Sequence, residues 1–505
     1  MNRRLGVLAF VVLTAAGAAA AQAAPPVHAL PPEPAFMQKP PVPGPFKPYR
    51  RPVSQTDQLP NGLKIVVAVD HRFPLVSVRM AFRAGDSRLT PAQAGLADAE
   101  ADLLTEGTPT RTALQIAEAQ DAMGGGISAG VDPDFLTISA SALADRVNAL
   151  FELLSDVVLH PSFPANEVAL EKANMLQGLR ANRASAGFLA SVQFNKLLFG
   201  RNPYAITAPT AASIAAITRA KLVQFHQDYF LPNNQAEIVV TGDISAARAH
   251  NLAQQYFGDW KLGEPAPPPA PPVQEPPTRR IYLISRPGSA QSTILLGNLG
   301  LTRDAPGYFS FRVANEVLGG SFNSRLTSVV RERMGYAYDI GSQNVPYREL
   351  GAWIVSTQVR TAVTAPALAA ILAQLDTIRA TPVTPQELVQ AKNYLTGNYI
   401  LSLETQADVA DWFLTTGIYG LSPAWMTDYV PNIQAVTAGQ ALDAARDVIH
   451  PRHLIVVVVG DVQQIEAGLA KLAPGTMLTI YNDRGDVIGS YPPEGPAKGH
   501  GGVIH

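Results

Sequence analysis

The chain has 505 residues, 47% of them hydrophobic, with 39 basic and 41 acidic residues and no cysteine. That length exceeds one ordinary hydrophobic core and predicts two or more domains. The balance of charge gives no electrostatic footprint for nucleic acid or an anionic surface, and the lack of cysteine excludes both disulfides and a lipoprotein anchor.

At the start of the chain, Arg3 and Arg4 precede an apolar run from Leu5 to Ala21, and Ala21-Gln22-Ala23 is a small-x-small cleavage site. Residues 1–23 therefore read as a secretory signal peptide, so the mature protein is exported and a bacterial periplasm is its expected compartment. The same run could stay as an anchor, but its alanine content and cleavage signature favour removal. Residues 24–54 are crowded with proline and are expected to form an extended arm.

A first domain is expected over residues 55–264. Strands are predicted at Leu63 to Val69 and Val76 to Arg83, an amphipathic helix ends near Ser155, and Pro164 to Val168 starts another. A buried strand, Ile238 to Thr241, closes the domain in a Gly242-Asp243 turn. Residues 265–278 are a proline-rich linker able to span roughly 40 Å at about 3.1 Å per residue.

A second domain follows over 279–474, with strands at Ile281 to Ser285 and Thr293 to Leu299, a helix ending near Ile378 and a helix start at Thr384 to Leu388. It closes in the strand Leu454 to Val459 and the turn Gly460-Asp461, the plan of the first domain repeated after roughly 220 residues. Strand runs between helices favour an α+β fold with helices on mostly antiparallel sheets. Residues 475–505 read as a tail, with Arg484-Gly485-Asp486 as a hairpin turn and His500 and His505 in a Gly/Pro-rich end.

The carboxylates Asp98, Glu100, Asp102 and Glu106 read from spacing alone as a solvated acidic helix face. The histidines His28, His71, His160, His226, His250, His450 and His453 read as turn and surface residues, because only His450 and His453 stand near each other.

The segment Gly95-Leu96-Ala97-Asp98-Ala99-Glu100-Ala101-Asp102-Leu103-Leu104-Thr105-Glu106-Gly107-Thr108 resembles the zinc helix of the pitrilysin/insulinase (inverzincin) metallopeptidases, G-L-A-H-x-x-E-H-x-L-x-x-G-T. In that motif two histidines one turn apart hold Zn²⁺ and the glutamate between them deprotonates its water. Here Asp98 and Asp102 replace the histidines, Ala101 replaces the base, and Gly178, seven residues after Glu171, stands at the outer ligand position. Short carboxylates suit harder cations, and alanine accepts no proton. The chain is thus expected to bind no zinc and to be inactive alone.

Other segments extend the resemblance over about Gln58 to Lys471: Leu59 to Leu63, Asn202-Pro203-Tyr204, Tyr229 to Asn234 and Pro287 to Ser292. The run from Leu318 to Tyr338 resembles the family's G-G-x-x-x-S-R-L-x-x-x-x-R-E-x-x-G-x-x-Y segment, with Arg331 and Tyr338 intact. The resemblance implies two homologous domains of the pitrilysin and mitochondrial-processing-peptidase type, forming half of a clam shell. It also implies that Arg331 and Tyr338 contact a substrate carbonyl or oxyanion, with Gly319, Gly320, Ser324 and Arg325 beside the peptide.

A helix from about Asn323 should stop at Gly335 and bring the two tips together. The leading expectation is a zinc-lacking subunit that pairs with a zinc-bearing partner as a heterodimer. The alternative is a non-catalytic peptide-binding or scaffold protein on the same fold. An independent hydrolase of another kind is weakest, because there is no Gly-x-Ser-x-Gly elbow and no metal cluster in the sequence.

Overall fold

The computed structural model describes residues 52–264, 271–473, 475 and 477–491. The segment 1–23, the arm as far as residue 51, residues 265–270 of the linker and residues 492–505 of the tail lie outside the described residues.

The strands form two sheets. The first holds β1 (Ser54–Gln58), β2 (Lys64–Val69), β3 (Leu75–Phe82), β4 (Gly126–Val131), β5 (Leu136–Leu143) and β6 (Glu237–Gly242), in the order β1-β2-β6-β3-β5-β4. The second holds β7 (Arg280–Ser285), β8 (Gln291–Gly300), β9 (Ala337–Pro346), β10 (Gly351–Arg360), β11 (Ile455–Gly460), β12 (Leu478–Tyr481) and β13 (Val487–Tyr491), in the order β13-β12-β7-β11-β8-β10-β9. In both sheets a late strand, β6 or β11, lies parallel to the first long strand and antiparallel to the second. The repeat seen in the sequence is therefore a repeat of topology, and the fold is α+β.

The closing strands show why the chain needs two layers of helix. Every residue of β6 and of β11 is buried, so neither strand has a solvent face. Val456 to Val459 are fully buried, and each such side chain contributes about 1.5–3 kcal/mol of transfer free energy.

The second layer is exchanged between the halves. The Ala186–Phe199 helix of the first half packs on β8 and β11, placing Phe194 and Leu198 against Leu295, Val457 and Val459. The Gln406–Ile418 helix of the second half packs on β3 and β6. Its first residue accepts a hydrogen bond from Thr241 Oγ1 to the Gln406 carbonyl at 2.8 Å, and Gln406 Nε2 donates to the Asp70 carbonyl at 2.9 Å. Ion pairs Arg79–Asp411 and Arg83–Glu349 and the stacked rings of Tyr204 and Tyr347 cross the same boundary.

Two features differ from the sequence expectation. The segment read as a tail from residue 475 carries β12 and β13, which extend the second sheet alongside β7. His450 and His453 are not plain surface residues: His450 Nδ1 lies 2.8 Å from Glu275 Oε2 and His453 Nδ1 lies 2.9 Å from the Pro276 carbonyl, so both tie down the described end of the linker.

Glycines at the exchange give a test of packing. A Cβ at Gly417 would overlap the carboxylate of Glu237, which is buried and paired with Lys64 at 3.0 Å. A Cβ at Gly397, inside the Pro385–Leu401 helix, would meet nothing within 4 Å. Denaturant unfolding is expected to show Gly397→Ala stabilised by roughly 0.5–1 kcal/mol and Gly417→Ala destabilised.

The linker clasp gives a pH test. The Glu275 carboxylate raises the His450 pKa above its ordinary 6.5. A raised histidine contributes stability that is fully present below about 6.5 and is lost as pH rises through its folded value. Melting temperatures from pH 6 upward should fall more for the wild type than for His450→Gln; parallel profiles would exclude the clasp.

Candidate functional site

The Leu96–Leu103 helix starts from Gly95 in a left-handed conformation and packs against the Ala165–Arg183 and Arg219–Tyr229 helices. Its apolar face, Leu96, Ala97, Ala99 and Leu103, is buried. Asp98 is half-buried and Asp102 exposed, one turn apart on the outer face, with Ala101 almost fully buried beside them. Gly178 supplies no side chain at the position of the related motif's outer ligand, and a Cβ built on it would meet nothing within 4 Å.

The surroundings are acidic. Burial first and Asp102 second raise the Asp98 carboxyl above its ordinary value, and burial followed by Asp102 does the same to Glu171. Asp98 also opens onto a hollow of about 270 Å³ shared with Asp86 and Asp132. Burial, then Asp98, pushes the Asp86 carboxyl up to about 7, and burial pushes Asp132 up to about 6.

Glu100 is not part of the solvated face. It is fully buried and its Oε1 lies 2.8 Å from His226 Nδ1 on the Arg219–Tyr229 helix, with His226 stacked on Phe230. Burial drives both groups toward neutrality, holding Glu100 well above the carboxylate range and His226 down to about 3. This pair joins two helices and faces away from Asp98 and Asp102.

The donor set does not fit zinc. Two carboxylates with no imidazole, an alanine at the base position and a glycine at the outer position supply neither the ligands nor the proton acceptor that a hydrolytic zinc needs. Among the described residues no group of three or more His, Asp or Glu side chains is arranged to hold a metal ion.

The other candidate residues lie in the second half. The helix that carries Arg331 widens into π-helical turns over Thr327–Arg333 and stops at Gly335, whose φ of +61° suits glycine. Tyr336 N then donates to the Val330 carbonyl at 2.9 Å, and the chain reverses into β9. The structure thereby brings Arg331 and Tyr338 together. The guanidinium carbon lies 5.1 Å from the Tyr338 ring centre and 4.5 Å from the Phe322 ring centre, so the arginine is held between two rings. Tyr338 is 85% exposed and Phe322 60% exposed, which leaves the edges of this stack open to a ligand.

The neighbouring candidates Gly319, Gly320, Ser324 and Arg325 all make contacts within the fold. Ser324 is buried, with Oγ 3.1 Å from Thr327 Oγ1, and caps the helix. Arg325 is engaged by both oxygens of Glu387, Nε to Oε1 at 2.7 Å and an Nη to Oε2 at 2.8 Å, which fixes the helix to the Thr384–Glu387 capping box. Gly319 is buried, and a Cβ there would overlap Ser342 of β9. A Cβ at the exposed Gly320 would overlap the Glu316 carboxylate. These four residues pack around the helix that carries Arg331, with Gly320 alone among them exposed.

Tyr338 stands at one end of an open trough of about 880 Å³. Gln291, Gln358 and Arg360 of the sheet line it, together with Arg286 and residues 184–187 at the start of the Ala186–Phe199 helix. β9, which carries Tyr338, is the last strand of its sheet among the described residues, with Asn315 Nδ2 donating to its Ser342 carbonyl at 2.9 Å. Phe322 was not singled out from the sequence; an aromatic residue amid polar and small neighbours at Gly320 to Ser324 was the available signal.

Comparison with known proteins follows this geometry. The family described as "Insulinase (Peptidase family M16)" matches residues 64–197, and that described as "Peptidase M16 inactive domain" matches residues 216–395. The chain is 26% identical over 347 residues to the uncharacterized zinc protease YmxG of Bacillus subtilis, covering 68% of this chain and 83% of that one. An uncharacterized zinc protease of Streptomyces coelicolor is 26% identical over 413 residues, covering 79% and 88%. Among solved structures, a peptidase M16 inactive domain from Pseudomonas fluorescens superposes with a TM-score of 0.76 at 29% identity, covering 81% of this chain and 98% of that one. A protease from Helicobacter pylori shares the fold, with a TM-score of 0.76 at 18% identity over 81% of this chain and 100% of that one.

The support role of Arg325 is testable. Arg325→Met should lower stability by roughly 1–3 kcal/mol by leaving Glu387 unpaired, with peptide affinity of the folded protein unchanged. The Arg325 hydrogen bonds hold Glu387 down to about 2, so its stabilisation is present above about 4.5 and is lost as pH falls toward 2. Acid titration of wild type and Glu387→Gln measures that difference.

Proposed function

This chain belongs to the insulinase family of peptidases, M16, and from that premise we propose that it is a zinc-lacking subunit of an exported peptidase. It binds peptide and completes the active site of a zinc-bearing partner as a heterodimer, with zinc held by the partner alone. The observation that carries this reading is the contrast between the two halves. The Leu96–Leu103 helix lacks the ligands and the base of the related motif, while Arg331 and the exposed Tyr338 stand together at the strand that ends its sheet among the described residues.

In this reading an extended peptide lies along the trough. Arg331 offers fixed N–H donors and Tyr338 a hydroxyl donor, aimed at a carbonyl whose oxygen gains negative charge when the partner's water attacks. The apolar run and cleavage site within residues 1–23 support export, and the periplasm is the compartment that fits them.

A second reading, a peptide-binding or scaffold protein without any catalytic part, is favoured by one observation. Ser324, Arg325 and Gly319 are all explained by internal packing, which leaves few side chains reserved for chemistry.

Reconstitution separates the two. Mixed with a co-purifying zinc-bearing homologue, the chain should restore peptide hydrolysis that neither has alone. Arg331→Ala and Tyr338→Phe in this chain should each lower kcat by roughly a hundredfold, with the heterodimer intact by gel filtration. An intact heterodimer whose turnover is unchanged in both variants would move the assignment to the scaffold reading.

A further inference from the structure

A third hollow, of about 340 Å³, lies where the Ala165–Arg183 and Ala186–Phe199 helices meet β7 and the β12–β13 turn. From this hollow we infer that the chain binds a small ligand made of an apolar chain ending in a carboxylate.

The walls supply the apolar part. Leu179 and Leu189 are buried, Phe188, Val192 and Ile206 are half-buried, and Ile284 of β7 closes the floor from the second half. The volume is at the lower end of the range for small-molecule sites, roughly 300–1,000 Å³, which fits one chain and not a two-chain lipid or a folded partner.

The rim supplies the charge. Arg183, Lys196 and Arg484 border the hollow against a single carboxylate, Asp483. None of the three cations forms an ion pair among the described residues. Arg183 and Lys196 stand in the last turns of their helices, where the macrodipole favours a cation. That accounts for each singly. It does not account for Arg484, which comes from a hairpin turn in the other half and lies on the same rim. Thr207 Oγ1, also in the wall, is buried and has no hydrogen-bond partner, so it can donate to an oxygen placed inside.

The required chemistry is an aliphatic tail on the apolar wall with its anionic head among three donors. A fatty acid and the free carboxyl end of an apolar peptide both satisfy it.

Titration calorimetry on the full chain tests the inference, with decanoate, decylamine and decanol as probes, and trileucine acid and trileucine amide as the peptide arm. The expected result is one decanoate per chain, with decylamine and decanol at least tenfold weaker and a raised Tm only with the acid. Arg183→Gln combined with Lys196→Gln should abolish that binding, with the unliganded Tm lowered only slightly by the loss of two helix-end cations. Val192→Trp, which fills the hollow, should do the same without altering charge. Tighter capture of trileucine acid than of decanoate, lost in the amide, supports the same chemistry and assigns it to a peptide end. Equal binding of decylamine, several non-saturating sites, retention of decanoate binding in both variants, or no binding of either acid would overturn the inference.

Discussion

Everything in this chain rests on an exchange of helices between two sheets that cannot otherwise be covered. A strand such as Ile455–Gly460, apolar on both faces, needs a layer on each side. One side of each sheet is met by helices of its own half. The other is met by a helix the opposite half lends, Ala186–Phe199 in one direction and Gln406–Ile418 in the other. Polar contacts at the crossing, such as the Arg348 backbone N–H donating to Asp134 and the Glu349 backbone N–H donating to the Tyr204 hydroxyl, follow from the burial.

That arrangement makes a rigid frame in which the two candidate regions have diverged. On the first half, Asp98 and Asp102 stand one turn apart on the Leu96–Leu103 helix, and desolvation shifts both carboxyls toward their neutral forms. The helix keeps its place because its packing depends on Leu96, Ala97, Ala99 and Leu103, none of which touches the outer face. The packing of this helix therefore does not depend on which side chains stand at 98, 101 and 102 of its outer stripe. On the second half, Arg325, Ser324 and Gly319 anchor the short helix so that its last turn presents Arg331 at the edge of β9.

The parts legible in the sequence were those with local signals. Buried strands declared themselves as unbroken apolar runs ending in Gly-Asp, helix starts as Pro at the first position after Thr384, and the helix stop as Gly335. What escaped notice was set by partners far along the chain. Glu100 pairs with His226, 126 residues on, and looked like one more surface acid. Helical spacing held a clue, because Asp98, Asp102 and Glu106 repeat every four residues on one stripe while Glu100 falls on the opposite side. Arg325 resembled a ligand-facing residue because Glu387, its partner, lies 62 residues away in another helix. The final hairpin was half-read: its turn carries Asn, Gly and Asp, but β12 and β13 are short and partly exposed, so they lack the alternation that marks a strand.

The aromatic clamp on Arg331 has a thermodynamic consequence for whatever meets it. An unrestrained arginine forfeits up to about 2 kcal/mol of rotamer entropy when a ligand freezes it. Between Phe322 and Tyr338 much of that freedom is surrendered during folding, before any visitor arrives. A ligand that met this guanidinium would therefore lose less of its binding energy to ordering it, which would favour a guest that matches the preset geometry over one that must induce it.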